Sequence, residues 1–178
     1  MKKNIRLAVL GTGYFSQFHY DAWKRLNVDL VGICSLNKDE AIKYSKQFQN
    51  CEVFLDFETM IKTTKPDLVD IIAPPLNHLE FIKISAKNKV NIICQKPFTN
   101  SIKEAREAIN FTKRNKVKIA VHENFRFQPW YMKINEILKT SLLGNLYQVS
   151  FRMRPGDGQG AKAYLERQPY FQKMEQFL

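Results

Sequence analysis

The sequence predicts an α/β fold, a doubly wound parallel sheet, followed by the start of an α+β second domain with an open sheet. Three observations predict it. Strand-length apolar runs alternate strictly with amphipathic helical stretches through about residue 122. The connections between them are short. A Gly-x-Gly turn, Gly11 and Gly13, joins the first run to the first helical stretch. Short crossovers between parallel strands put helices on both sheet faces, and a ligand then belongs beyond the carboxyl ends of the strands.

Taken in order, IRLAVL (5–10) is a continuous apolar run, which suits a strand buried on both faces. FSQFHYDAWKRL (15–26) spaces Phe15, Phe18, Ala22 and Leu26 as a helical stripe. VDLVGIC (28–34) is the next strand, and 38–48 reads as a helix through Ala41, Ile42, Ser45 and Phe48. CEVF (51–54) is a short strand. Asp56 caps a brief helix, FETMIKTT, that stops before Pro66. LVDIIA (68–73) is a strand closed by Pro74 and Pro75. Asn77 is placed to cap a helix over 78–88. NIIC (91–94) is a strand, and Ser101 with Glu104 forms a capping box for a helix over 102–115. VKIAVH (117–122) is the last strand of the alternation. A helix over 130–140 and an alternating strand over 144–154 follow. The expected division is a first domain over 1–122 and an incomplete second domain over 123–178.

Composition narrows the function classes. Hydrophobic residues are 44% of the 178, enough for a sizeable core. No apolar run approaches the ~18 to 20 residues of a membrane span, so no membrane partner is expected. The basic head before a short apolar run lacks a cleavage pattern, and the expected location is the cytoplasm. Cys34, Cys51 and Cys94 are odd in number and scattered, and His19, His78 and His122 lie far apart. Spacing therefore gives no disulfide framework and no metal motif. The net charge of +11 centres on the middle third, notably KRNKVK at 113–118. Aromatic residues do not interleave with that run, and a helix C-terminus favours cations. No nucleic-acid partner is expected.

The motifs with chemistry fall on loops at one sheet edge. Gly11 permits the tight turn and Gly13 lets the backbone approach a pyrophosphate, with Thr12, Tyr14 and Phe15 beside them. Ser16 stands where a dinucleotide fingerprint has its third glycine. The second strand ends in Ser35, Leu36 and Asn37, where a carboxylate for the ribose of NAD is usual. A serine can hydrogen-bond either form of the ribose, so NAD or NADP stays open. Ala73, Pro74 and Pro75 offer a rigid surface for a flat ring. Asn77 and His78 follow, and His78 reads equally as a satisfied helix-start histidine or a cofactor contact. Lys96, after Gln95 at the end of a strand, is either a solvated loop charge or a cation at a site.

GTGYFSQFH, APPLNH, CQKPFTNS and ENFRFQPW, in this order, resemble the glucose–fructose oxidoreductase and inositol dehydrogenase family. The resemblance covers residues 5 to about 155, with weaker likeness at RQPYF (167–171). It implies a Rossmann dinucleotide-binding domain, NAD or NADP, and hydride transfer to or from a small sugar or polyol. It implies that Lys96 is catalytic, placed between nicotinamide and substrate, and that Gln95 stands in place of the family's glutamate. It brings Asn124 toward the cofactor. Arg126 reads evenly as a substrate contact or a structural ion-pair residue. Trp130 and Tyr131 are expected to pack their helix into the core. The family's chains usually run longer, and its acidic-residue-and-histidine pair beyond RQPYF has no counterpart after 171. The expectation is a truncated chain that binds cofactor without turnover, self-associates through the strand at 146–154, and is disordered toward 156–178. The alternative is a non-catalytic dinucleotide-binding or cofactor-sensing module.

Overall fold

The computed structural model describes residues 4–152. The chain divides into two compact units, the first ending at His122 and the second beginning at Glu123.

The first unit is a six-stranded parallel sheet with helices between the strands. Its elements are β1 Arg6–Leu10, α1 Ser16–Arg25, β2 Asp29–Cys34, α2 Lys38–Ser45, β3 Glu52–Phe54 and α3 Phe57–Thr64. β4 Leu68–Ile71, α4 His78–Lys87, β5 Asn91–Gln95, α5 Ile102–Arg114 and β6 Ile119–His122 complete it. The strand order is β3-β2-β1-β4-β5-β6, all parallel. The winding reverses between β1 and β4, the switch point at which such sheets open a crevice for a ligand.

Alternation along β1 builds both faces. Ala8 and Leu10 join Met60, Ile61, Ile82, Ala86 and Ile92 on one side. Leu7 and Val9 join Tyr20, Leu30, Ile33 and Ala41 on the other. A strand buried on both faces must be apolar throughout, as β1 is.

The helix starts follow from side-chain caps. Asn37 accepts from the Glu40 N–H at 3.1 Å, Asp56 from Thr59 at 2.7 Å and Ser101 from Glu104 at 3.2 Å. The box at Ser101 closes differently from expectation: Glu104 accepts from the Asn100 N–H at 3.1 Å, one residue earlier. Asn77 does not cap α4 through its side chain. It ends a short 3-10 turn, Pro75–Asn77, that leads straight into the helix.

Further expectations are corrected. The stripe of α1 is not Phe15, Phe18, Ala22 and Leu26, since Phe18 is 56% and Leu26 66% exposed. The helix buries Ser16, His19 and Tyr20 instead, each with a polar partner inside: the Gly13 carbonyl, the Asp70 carboxylate and the Gly11 carbonyl.

The second unit holds a 3-10 turn, Phe125–Phe127, and helix α6, Pro129–Leu138. Residues 144–152 form no strand. A strand needs a ladder partner for its backbone groups, and among the described residues none pairs with this stretch. Trp130 is exposed rather than packed into a core. The expectations for 153–154 and for 156–178, RQPYF included, lie outside the described residues.

Candidate functional site

The loops after β1, β2, β4 and β5 meet at the carboxyl edge of the sheet. Gly11 begins the first. Its N–H donates to the Cys34 carbonyl at 2.9 Å, and Tyr20 donates its hydroxyl to the Gly11 carbonyl at 3.0 Å. Its φ of +113° and an imagined Cβ only 2.6 Å from the Ile72 carbonyl oxygen require glycine for packing. Gly13 differs. A Cβ there would meet nothing within 4 Å, so its absence leaves open space beside the helix start.

Ser16, buried in the third-glycine position, donates its hydroxyl to the Gly13 carbonyl at 2.7 Å. The side chain that would crowd the turn instead braces it. α1 begins there with no acidic residue in its first turn, so its N-terminal dipole faces no competing anion. These features fit a dinucleotide whose pyrophosphate lies over residues 11–16.

Thr12 and Ser35 share a hydrogen between hydroxyls 2.6 Å apart. Ser35 Oγ also accepts from the Asn37 N–H at 3.1 Å. The end of β2 thus presents a small hydroxyl pair without a carboxylate. Leu36 beside it is 99% exposed, an apolar surface for a flat ring. Asn37 directs its Oδ1 to the α2 start rather than outward.

After β4, Pro74 is exposed while Pro75 is buried, so one proline ring faces out, not two. His78 is fully buried, which removes the cofactor-contact alternative for its side chain. Its Nε2 lies 2.7 Å from the Ala73 carbonyl oxygen and its Nδ1 3.0 Å from that of Phe98. The ring ties the loop after β4 to the loop after β5. Only an imidazolium could donate to both; burial opposes that charge and holds the ring below its ordinary pKa, against the upward pull of the Ala73, Phe98 and Pro97 carbonyls.

Lys96 follows β5, half-buried, with a cis bond to Pro97. Its Nζ lies 5.9 Å from the centre of the Phe15 ring. The structure therefore brings Lys96 to the glycine turn, as a site cation must be. Phe15 also meets Tyr14 edge to face at 5.4 Å and Phe18 at a tilt at 6.1 Å between ring centres. Gln95 turns its amide into the protein: Oε1 accepts from the Lys96 N–H at 2.7 Å and Nε2 approaches His19 Nε2 at 2.9 Å.

Behind Gln95 lies a polar cluster that the spacing of histidines concealed. His19 Nδ1 is 2.8 Å from Asp70 Oδ2, and Trp23 donates its indole N–H to the same oxygen at 2.7 Å. His122 Nδ1 is 3.3 Å from His19 Nε2. One signal pointed here: Asp70 is a lone carboxylate inside the buried run LVDIIA, and a buried charge demands partners.

Asn124 and Arg126 belong to the second unit, both exposed, with the Arg126 guanidinium 5.4 Å from the Phe127 ring centre. The Arg126 ion-pair alternative gains no partner among the described salt bridges. Among the described residues no group of three or more His, Cys, Asp and Glu could hold a metal ion. The cysteines are free; burial pushes Cys34 up to about 11 and Cys51 up to about 12, and raises Cys94 as well. None is a ready nucleophile. No described helix is long and apolar enough to cross a membrane.

Residues 5–123, more than half of the chain, match the model of an oxidoreductase family with an NAD-binding Rossmann fold, the GFO_IDH_MocA family. A D-apiose dehydrogenase of Paraburkholderia graminis is 28% identical over 179 residues, covering 99% of this chain and 46% of its own length. The D-glucoside 3-dehydrogenase of Escherichia coli is 23% identical over 150 residues, covering 83% and 43%. An oxidoreductase from Agrobacterium radiobacter, solved with NAD+, L-tartaric acid and magnesium, superposes with a TM-score of 0.74 at 25% identity. That match covers 80% of this chain and 42% of the other. A scyllo-inositol dehydrogenase from Lactobacillus casei, solved with NAD(H) and scyllo-inositol, gives 0.74 at 20% identity over 80% and 43%, a likeness of fold. The chain spans about half the length of the curated relatives it matches.

Proposed function

We propose a function from one premise: the chain belongs to the oxidoreductase family that carries an NAD-binding Rossmann fold. Its role in this reading is the nicotinamide-dinucleotide-binding part of an oxidoreductase that moves a hydride between NAD or NADP and a sugar or polyol carbon. The observation that carries it is the pairing of an open Gly13 turn at a helix start with Lys96 at 5.9 Å from Phe15 in that same turn.

The pyrophosphate would lie over residues 11–16, with backbone N–H groups and the α1 dipole facing it. The ribose would face Ser35 and Thr12, and the adenine Leu36. The nicotinamide, when bound, supplies or accepts the hydride. Lys96 then donates a hydrogen bond to the reacting oxygen as negative charge grows on it. Hydroxyls rather than a carboxylate at the ribose favour no rejection of a 2′-phosphate, which keeps NADP beside NAD. Asn124 and Arg126 are assigned to the cofactor and substrate on sequence position alone.

The names of the relatives favour a sugar or polyol substrate. Self-association is part of the proposal, supported by exposed Phe127, Trp130, Leu142 and Leu143 in the second unit.

Replacing Lys96 tests the chemistry in a protein that contains this whole chain. Lys96→Ala should lower kcat by roughly 10²- to 10³-fold while dinucleotide affinity holds. Near wild-type turnover would return Lys96 to a solvated loop. Dinucleotide binding in a protein with no turnover to lose would favour the cofactor-sensing alternative.

A further inference from the structure

We propose that His19, held by Asp70, is a positioning residue: it fixes the Gln95 amide, and through it the main chain that carries Lys96. That Lys96 serves the chemistry rests on the function proposed above; the hydrogen-bond chain itself does not.

Each bond in the chain dictates the next. The Lys96 N–H can only donate, so the Gln95 atom at 2.7 Å from it is Oε1. The amide nitrogen of Gln95 therefore faces His19 Nε2, at 2.9 Å. An amide NH₂ also only donates, so His19 Nε2 must carry a lone pair. The ring proton then sits on Nδ1, aimed at Asp70 Oδ2, 2.8 Å away. That oxygen accepts a second bond from Trp23 at 2.7 Å, which fixes the carboxylate in turn. Asp70 is fully buried and His19 is 5% exposed, so water does not compete for the bond between them. The four anchors come from β4, α1, β5 and the end of β6, where His122 reaches His19 Nε2 at 3.3 Å.

Nitrogen-15 NMR of the histidine rings in the labelled chain reads the tautomer directly. His19 should be protonated on Nδ1 alone; an Nε2–H tautomer overturns the proposal. His19→Asn can place a donor at the Nδ1 position for Asp70 and leaves no atom at the Nε2 position for Gln95. The Trp23 indole N–H should then stay protected while hydrogen exchange at the Lys96 amide speeds up about 10-fold, the worth of one neutral hydrogen bond. Equal Lys96 protection in folded His19→Asn also overturns it. None of these readouts needs cofactor, so they fail separately from the proposed function.

Discussion

Two glycines two positions apart carry opposite duties, and single substitutions separate them. Gly11→Ala forces a side chain into a left-handed backbone and against the Ile72 carbonyl. It should cost about 1–3 kcal/mol of stability, read from the urea midpoint. Gly13→Val meets no protein atom at its Cβ, so its stability should match wild type while dinucleotide binding is lost. A destabilised Gly13 variant, or a fully stable Gly11 variant, would reverse these assignments. Both glycines were legible in the sequence from their Gly-x-Gly spacing between strand and helix, although the turn itself demands only Gly11. The meaning of Gln95 was not, since nothing in the order of residues says that an amide at 95 faces a histidine at 19.

Elements were legible where a local device fixes them. Asp56 and Ser101 announce α3 and α5, and each side chain makes its cap bond. Ser101→Ala should lower stability by about 1 kcal/mol, measured by urea denaturation; an unchanged midpoint would mean that Glu104 alone secures that helix start. The face of α1 was misread because hydrophobicity was taken as the guide to burial. The sheet presents Asp70 to that helix, so the inward face carries donors to it, buried His19 and partly buried Trp23. The stretch 144–152 alternates like a strand, yet alternation only prepares a face. Pairing makes a strand, and sequence pattern carries no information about the partner.

For the whole domain, the strict alternation of strands and helices through residue 122 was sufficient to give a parallel sheet wound on both sides, and the sheet order places every candidate loop at one edge. The same edge makes the fold sensitive to acid. His78 titrates below its ordinary value of 6.5 because it is buried. The unfolded chain therefore binds more protons between that lowered value and 6.5. Stability should be fully present above 6.5 and fall as pH drops through this window. His78→Gln should flatten that part of the pH dependence of the urea midpoint; parallel curves for the two proteins would assign the acid sensitivity elsewhere.

The central claim is that the Gly11–Ser16 turn is a dinucleotide cradle, and calorimetric titration with NAD(H) and NADP(H) tests it most directly. The chain should bind at least one of the two pairs saturably, one molecule per chain, and Gly13→Val should retain the fold and lose the binding. No binding by the wild-type chain, or equal binding by a folded Gly13→Val, would contradict the account.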